Sequence, residues 1–394
     1  MVKFSIIIVS YNVKYFLEQC LCSVKKAIVD WSVMNSPWDT EVFVVDNHSS
    51  DESIEYLKPH FPFIKFISNH ENKGFAKANN QALPMATGQH ILFLNPDTIL
   101  PEDFFIHCIN HLETNPRIGG LGVLMIDGKG VFLKESKRGY PTPWACFCKL
   151  SGLTALFPHS RFFAQYYLGH LNHHSSQEVE SISGACMFIK KEALDKTGGF
   201  DERFFMYAED IDLSYRIQQA GYTIYYLANT SIIHFKGEST TKDTRYVKLF
   251  YKAMIQFVQK HYSGTTGRLY AVILSLAIWL HAMVAFSHLQ LAKRIRKRQP
   301  ENSRMVFSGD EHSIEESKSL LPVSGDTRSI PTAGGSTEIV FCEGQHLSFR
   351  EIIKIMKLSP FKNYKIHSLH SCSVVGSGKS YAQSEHVFRN DTDK

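Results

Sequence analysis

The sequence predicts an α/β fold built on a mixed, mainly parallel sheet flanked by helices. Three observations carry this expectation. Short apolar runs rich in β-branched residues alternate with segments of helical period as far as Leu112. The first, second and fourth of these runs end on polar residues, at Ser10, Asp46 and Asn95-Pro-Asp97. Beyond Ile118 the alternation gives way to shorter runs and glycine turns, so the sheet should become mixed there.

Phe4 to Val9 is a continuous apolar run of the kind found in a parallel strand covered on both faces. Phe16, Leu17, Cys20, Val24 and Ile28 recur at helical spacing behind it. Strands follow at 42–45 and 63–67, then a helix after Asn72-Lys-Gly-Phe75 and a strand at 90–94. Pro101, Glu102 and Asp103 open another helix, with Phe104, Cys108, Ile109 and Leu112 on its apolar face. Val123 to Ile126 before Asp127-Gly128 reads as a hairpin. The aromatic stretch from Arg138 to His174 has no clean period and suits a loop with short helices beside an acceptor. Val179 to Lys190 reads as one strand with a close-approach glycine at Gly184.

Gly198 to Arg216 then delivers Glu209, Asp210 and Asp212 to the first turn of a helix that Gly221 ends. Asp212 and Arg216 are spaced to pair across one turn, and the helix start with Arg216 should favour an ionised Asp210. Tyr222 to Leu227 is a strand, Ile232 to Thr240 brings His234 beside Gly237 and hydroxyls, and a helix runs from about Tyr246 to Tyr262.

The expected division is a catalytic unit at 1–262, a hydrophobic membrane-associated helix with a basic flank at 263–298, and a small α/β tail at 299–394. Leu269 to Leu291 is long enough to span a bilayer and runs into Lys293-Arg-Ile-Arg-Lys-Arg298. A single span would set this basic run against a cytosolic substrate site, whereas an interfacial helix on anionic headgroups reconciles them. Ser377-Gly-Lys-Ser380 invites a phosphate-loop reading, but Ser373 stands where that loop's first glycine belongs.

Across 394 residues the hydrophobic fraction of 44% supports a large core. The net charge of +5 is concentrated in one short run without interleaved aromatics, which argues against a nucleic-acid binder. Eight cysteines without a Cys-x-x-Cys pair indicate free thiols in a reducing compartment. The N-terminal residues lack a signal-peptide cleavage pattern, so the protein is expected not to be secreted.

Asp46, Asp97, His234 and the Glu209-Asp210 pair form a hard-ligand set suited to a divalent cation and a diphosphate. No glycine-rich phosphate loop follows any of the strands. In this order, Ser-Ile-Ile-Ile-Val-Ser-Tyr-Asn12, Val-Val-Asp-Asn47, Asn-Lys-Gly-Phe-Ala76 with Asn79-Asn80, Leu-Asn-Pro-Asp97, Ser-Gly-Ala185, Gly-Gly-Phe-Asp201 and Glu-Asp-Ile-Asp-Leu213 resemble family 2 glycosyltransferases of the GT-A fold. The nearest branch looks like bacterial rhamnosyltransferase-like enzymes, and the resemblance covers roughly the first two-thirds of the chain.

The resemblance implies an inverting transfer from a nucleotide-sugar donor, such as dTDP-rhamnose, to a lipid-linked or polysaccharide acceptor in cell-envelope glycan synthesis. It makes Asp210 the general base and assigns Asp46 to the nucleobase. Ser10, Tyr11, Asn12, Asn72, Gly74, Asn79, Asn95 and Asp97 fall on the donor side. Gly184, Ala185 and Glu209 fall on the acceptor side, and Asp97 and His234 would hold manganese or magnesium. Asn95 departs from the family's Asp-x-Asp motif, leaving one carboxylate there. The expected location is the cytoplasmic face of the cell membrane. A nucleotidyltransferase is the rival enzyme, although Ser10-Tyr-Asn-Val13 offers no triphosphate loop, and a catalytically silent sugar-nucleotide-binding scaffold is the rival of a different class.

Overall fold

The structure, a computed structural model, describes residues 3–34, 40–236, 244–262, 304–321, 337–360, 362–376 and 387–388. The hydrophobic segment Leu269 to Leu291, the basic run after it, the linker at 324–336 and Ser377 to Ser380 lie outside the described residues. Among the described residues, no helix is long and apolar enough to cross a membrane.

The catalytic unit runs β1 (Phe4–Ser10), α1 (Lys14–Met34), β2 (Thr40–Asp46), α2 (Ser53–Leu57), β3 (Ile64–Ser68), α3 (Phe75–Ala82), β4 (His90–Leu94), β5 (Thr98–Ile99), α4 (Phe104–Thr114) and β6 (Ile118–Ile126). Then come β7 (Lys137–Arg138), α5 (Pro143–Leu150), α6 (Leu153–Leu156), β8 (Gln177–Glu178), β9 (Ser181–Ile182), β10 (Cys186–Lys190), α7 (Lys191–Thr197), α8 (Glu209–Gln219), β11 (Thr223–His234) and α9 (Thr244–His261). The main sheet has the order β3-β2-β1-β4-β10-β6-β11-β5, with β8 on β11. Strands β1 to β4 are mutually parallel, whereas β10 runs antiparallel to both β4 and β6. The strand order turns back between β1 and β4, the kind of point at which open α/β sheets bind ligands at their carboxyl edge.

Every residue of β1 and β4 is buried, as continuous apolar runs require when helices cover both faces. One core layer joins Ile7, Phe43 and Phe93 to Leu213 and Ile217 of α8, and the other joins Ile6, Val44 and Leu92 to Leu17 of α1 and Phe104 of α4.

Three expectations are corrected. The strand foreseen over 179–190 is broken into β9 and β10, because Ser183-Gly-Ala185 leaves the sheet to meet α8: the Gly184 N–H donates to Asp210 Oδ2 at 2.9 Å. The hairpin at 127–128 reduces to a tight turn with one antiparallel bridge between Ile126 and Phe132, since Asp127 Oδ1 captures the amides of Lys129 and Val131. Strand β11 extends well past Leu227, to His234, through a register shift between Leu227 and Ser231 that hides its continuation behind the polar Asn229-Thr230.

In the tail, β12 (Arg304–Gly309), α10 (Glu311–Leu320), β13 (Thr337–Cys342), α11 (Phe349–Leu358) and β14 (Asn363–His367) build a separate three-stranded parallel sheet of order β12-β13-β14, followed by the short strand β15 (Ser373–Val374) outside it. It is docked on the catalytic unit. Glu102 accepts from the first amides of α11, Phe349 N at 2.8 Å and Arg350 N at 2.9 Å, completing the helix end that the Ser348–Glu351 capping box begins. Phe349, Ile352, Ile353 and Met356 on that helix join the catalytic unit's core, each contributing roughly 1.5–3 kcal/mol by leaving water.

Helix α9 is fastened electrostatically. The wholly buried Asp212 accepts from Arg216 at 2.7 Å, Lys260 at 2.5 Å and His261 at 2.7 Å. Burial opposes its charge, but the hydrogen bond from His261 and the Arg216 and Lys260 cations hold its carboxyl below the usual range. Asp212→Ala strands these cations together, and denaturant titration should show a loss of about 3–5 kcal/mol. A loss below about 1 kcal/mol would mean the network is dispensable.

Candidate active site

The site is assembled along the carboxyl edge of the sheet in three groups. The first lies at β1 and β2, where Ser10 and Asp46 are register partners. Asp46 Oδ2 accepts the Ser49 amide at 3.0 Å, which fixes the turn, while Oδ1 and Ser10 Oγ are buried without a hydrogen-bond partner. Asn12, in the left-handed region at φ 52, ties this loop to the next by accepting the Ser50 amide at 2.7 Å and donating its own N–H to Ser49 Oγ at 3.0 Å. Tyr11 lies between them.

Asn47 organises the neighbouring loop. Its amide donates to Asn72 Oδ1 at 2.9 Å and to the Gly74 carbonyl at 3.3 Å, and its oxygen accepts the Lys73 amide at 3.0 Å. Gly74 has φ +80, and a Cβ there would come within 2.6 Å of the Phe205 carbonyl, the acceptor of the Phe75 N–H. The Asn-Lys-Gly-Phe loop is thereby clamped to the aromatic loop before α8. Asn79 is buried and donates to the Phe75 carbonyl within its own helix. Its neighbour Asn80 makes the long-range link instead, donating to the Phe200 carbonyl at 2.8 Å and accepting the Phe200 amide at 2.9 Å.

The second group lies after β4. Antiparallel pairing of β5 with β11 sets His234 opposite Thr98 and brings its Nε2 to 3.3 Å from Asp97 Oδ1 and 3.4 Å from Asn95 Nδ2. The other imidazole nitrogen, Nδ1, is buried without a partner. The Asn95 amide donates to the Ala185 carbonyl at 2.9 Å, which joins this group to the third through Gly184.

The third group surrounds Asp210 in the first turn of α8. Its Oδ2 accepts from Gly184 N and forms an ion pair with Arg138, while Oδ1 accepts the Ile211 amide at 2.8 Å. A Cβ on Gly184 would lie 3.3 Å from Asp210 Cβ, so the residue's bareness permits the approach. The expected helper Arg216 is instead committed to Asp212 and to the carbonyls of Thr197 and Gly199. Arg138 takes that place. Burial opposes its charge, and Asp210 more than offsets this, so its guanidinium is held even more firmly protonated than usual. Residues 137–138 pair with 181–182 in a two-stranded ribbon, which aims Arg138 at α8. The backbone enters α8 through Tyr207 at φ 71 and Ala208 at φ 62, two left-handed residues that cost of order 1–3 kcal/mol each.

Glu209 precedes Asp210 in the same helix turn. It is buried, and desolvation, reinforced by the adjacent Asp210 charge, pushes its carboxyl up to about 8. Its Oε2 has no hydrogen-bond partner.

Residues 5–198 match the family model described as glycosyl transferase family 2. The chain carries a family 2 glycosyltransferase domain. Similar curated proteins include the N-acetylglucosaminyl-diphospho-decaprenol L-rhamnosyltransferase of Mycobacterium tuberculosis, 25% identical over 75% of this chain and 95% of that protein. The rhamnosyltransferase WbbL of Escherichia coli K12 is 26% identical over 50% of this chain and 72% of its own length. Among solved structures, a mannosyltransferase from Pyrobaculum calidifontis, in complex with GDP-Man and Mn2+, overlays with a TM-score of 0.46 at 17% identity, covering 75% of this chain and 76% of that one. The fold is a mixed sheet flanked by helices.

Because Glu209 holds a proton in the folded state that it loses in the unfolded state, it costs stability progressively as pH rises from about 4.5 to about 8. Relative to Glu209→Gln, the wild type should therefore lose stability across that window, at up to about 1.4 kcal/mol per pH unit. Melting curves of both proteins at pH 5, 6.5 and 8 measure this, and a pH-independent gap would contradict the assignment.

Proposed function

We propose that this family 2 enzyme is an inverting glycosyltransferase that moves a sugar, rhamnose by preference, from a nucleoside-diphosphate donor to a hydroxyl of a lipid-linked glycan acceptor. The observation that carries this reading is a row of buried polar atoms without protein partners along the sheet edge: Ser10 Oγ, Asp46 Oδ1, His234 Nδ1, Arg138 Nε and Glu209 Oε2. Buried polar groups are ordinarily hydrogen-bonded, so a row of this kind fits the imprint of a polar ligand. The M. tuberculosis rhamnosyltransferase, which this chain matches over nearly its whole length, supports the sugar and the lipid-linked acceptor.

In this reading Asp46, with Ser10, Tyr11 and Asn12, receives the nucleoside, and the loop of Asn72 and Gly74 closes over it, backed by Asn79. Asp97 and His234 suit a divalent cation of the manganese or magnesium class, because one carboxylate oxygen and one imidazole nitrogen converge there beside Asn95. Such an ion supplies charge neutralisation to the diphosphate leaving group. Asp210 takes the proton of the attacking hydroxyl, its carboxylate oriented by the Gly184 amide and by Arg138. Glu209, retaining its proton, donates a hydrogen bond to the acceptor beside Gly184 and Ala185. The reaction belongs at the cytoplasmic face of the membrane, where nucleotide sugars meet lipid acceptors, with the basic run Lys293 to Arg298 against anionic headgroups.

Asp210→Asn should abolish sugar transfer while leaving donor affinity, read by calorimetry, within about threefold of wild type. Turnover close to wild type in that variant would remove Asp210 from the base role.

A further inference from the structure

The tail holds a cluster of metal-ligating side chains well removed in sequence from the residues of the candidate active site. His312 and Glu316 stand one helical turn apart on α10. His367 ends β14, and His370 follows in a tight turn, with φ 65 and closed by the Ser371 amide on the Ser368 carbonyl. Glu316 Oε1 lies 3.4 Å from His312 Nε2 and 3.1 Å from His370 Nδ1. Its Oε2 accepts the His370 amide at 2.9 Å and faces His367 Nε2 at 3.5 Å. The ligating atoms of His312, Glu316 and His370 all lie within 4.8 Å of one another, the one such group of three among the described residues.

His367 supplies an independent observation. It is wholly buried, and its Nδ1 lies 2.9 Å from the Ser373 carbonyl. A carbonyl oxygen can only accept, so Nδ1 carries the proton and Nε2 is turned toward Glu316, where it has no hydrogen-bond partner. An imidazole whose far nitrogen is anchored to a backbone carbonyl is the usual outer support of a metal-bound histidine. Neutral imidazoles gain little by crowding one carboxylate, and protonating all three would place an excess of positive charge around it. A single cation accommodates His312, Glu316 and His370, whose ligating atoms converge.

We propose that His312, Glu316 and His370 bind one zinc-class divalent ion, with the buried His367 packed against the far carboxylate oxygen of Glu316. The donor set of imidazole nitrogens with one carboxylate oxygen suits that ion, and donors about 2.1 Å from a tetrahedral centre lie about 3.4 Å apart. The contacts of 3.4 and 3.1 Å to Glu316 Oε1 lie close to that spacing. The ion ties α10 to the turn that docks the tail on α1. In that turn Ser368 donates to Gln19 Oε1 at 2.5 Å, Gln19 Nε2 donates to Ser371 Oγ at 2.8 Å, and Ser373 donates to Glu18 at 2.5 Å. It is a structural staple on the face that joins tail to catalytic unit, separate from the cation assigned to Asp97 and His234.

The test is cobalt(II) titration of the chelator-stripped full chain, followed by visible absorption and then displaced with zinc. His312 and His370 are solvent-exposed, at 65% and 71%, so His312→Ala and His370→Asn should fold, and asparagine accommodates the left-handed backbone at 370. The wild type should bind one equivalent with the intense bands of tetrahedral cobalt. Both variants should lose that signal, whereas Asp97→Ala, which removes the other candidate ligand pair, should keep it. Equal tetrahedral uptake by wild type and both variants, no tetrahedral signal in the wild type, or its loss only in Asp97→Ala would overturn the proposal.

Discussion

The contact between Arg138 and Asp210 constrains the rest of the site. Burying these two charges is costly unless each is matched and the remaining polar valences are met, and the local architecture follows from meeting them. Gly184 must be bare so that its amide can approach Asp210, which takes Ser183-Gly-Ala185 out of the sheet and splits one strand into two. The short ribbon of β7 and β9 exists where Arg138 must be aimed. With Asp210 already charged, the adjacent Glu209 is driven to keep its proton. Two neighbouring acids of the same helix turn thereby sit in different settings, Asp210 paired with Arg138 and Glu209 buried with an unpartnered Oε2.

The sheet edge carries this asymmetry to the rest of the site. The Asn95 amide on the Ala185 carbonyl, and the Gly184 amide on the Asp210 carboxylate, connect the end of β4 to the start of α8. A base placed by main chain keeps its position more firmly than one placed by long side chains, since few rotors remain to be ordered. The loop around Gly74 is joined to the aromatic loop before α8 by the Phe75–Phe205 backbone bond, so the two loops share one support. On the far side of α8, Asp212 gathers Arg216, Lys260 and His261, anchoring the same helix to α9.

Much of this was legible in the sequence where the signal is local. The strands β1, β2 and β4 announce themselves as continuous apolar runs, and the acids of α8 by their place in a helix's first turn. Asp212 and Arg216 could be paired from their spacing alone. What escaped is what depends on distant partners. Arg138 reaches an acid 72 residues away from a two-residue strand that has no period to read. Lys260 and His261 meet Asp212 from 48 and 49 residues away. The loop-tying bonds of Asn47 and Asn80 likewise need partners on distant segments, such as Asn72 and Phe200. In the sequence the break at Gly184 reads as a close approach within one strand, because the bond that takes Gly184 out of the sheet comes from Asp210 of α8.

The central claim, that Asp210 deprotonates an acceptor hydroxyl for direct displacement at the sugar, is tested most directly by the anomeric configuration of the product. The full chain, given dTDP-β-L-rhamnose, manganese and a polyprenyl-diphosphate-linked N-acetylglucosamine, should form an α-rhamnosidic bond, identified by its one-bond carbon–proton coupling in NMR. A β-linked product, or release of nucleotide with no new glycosidic bond, would contradict it.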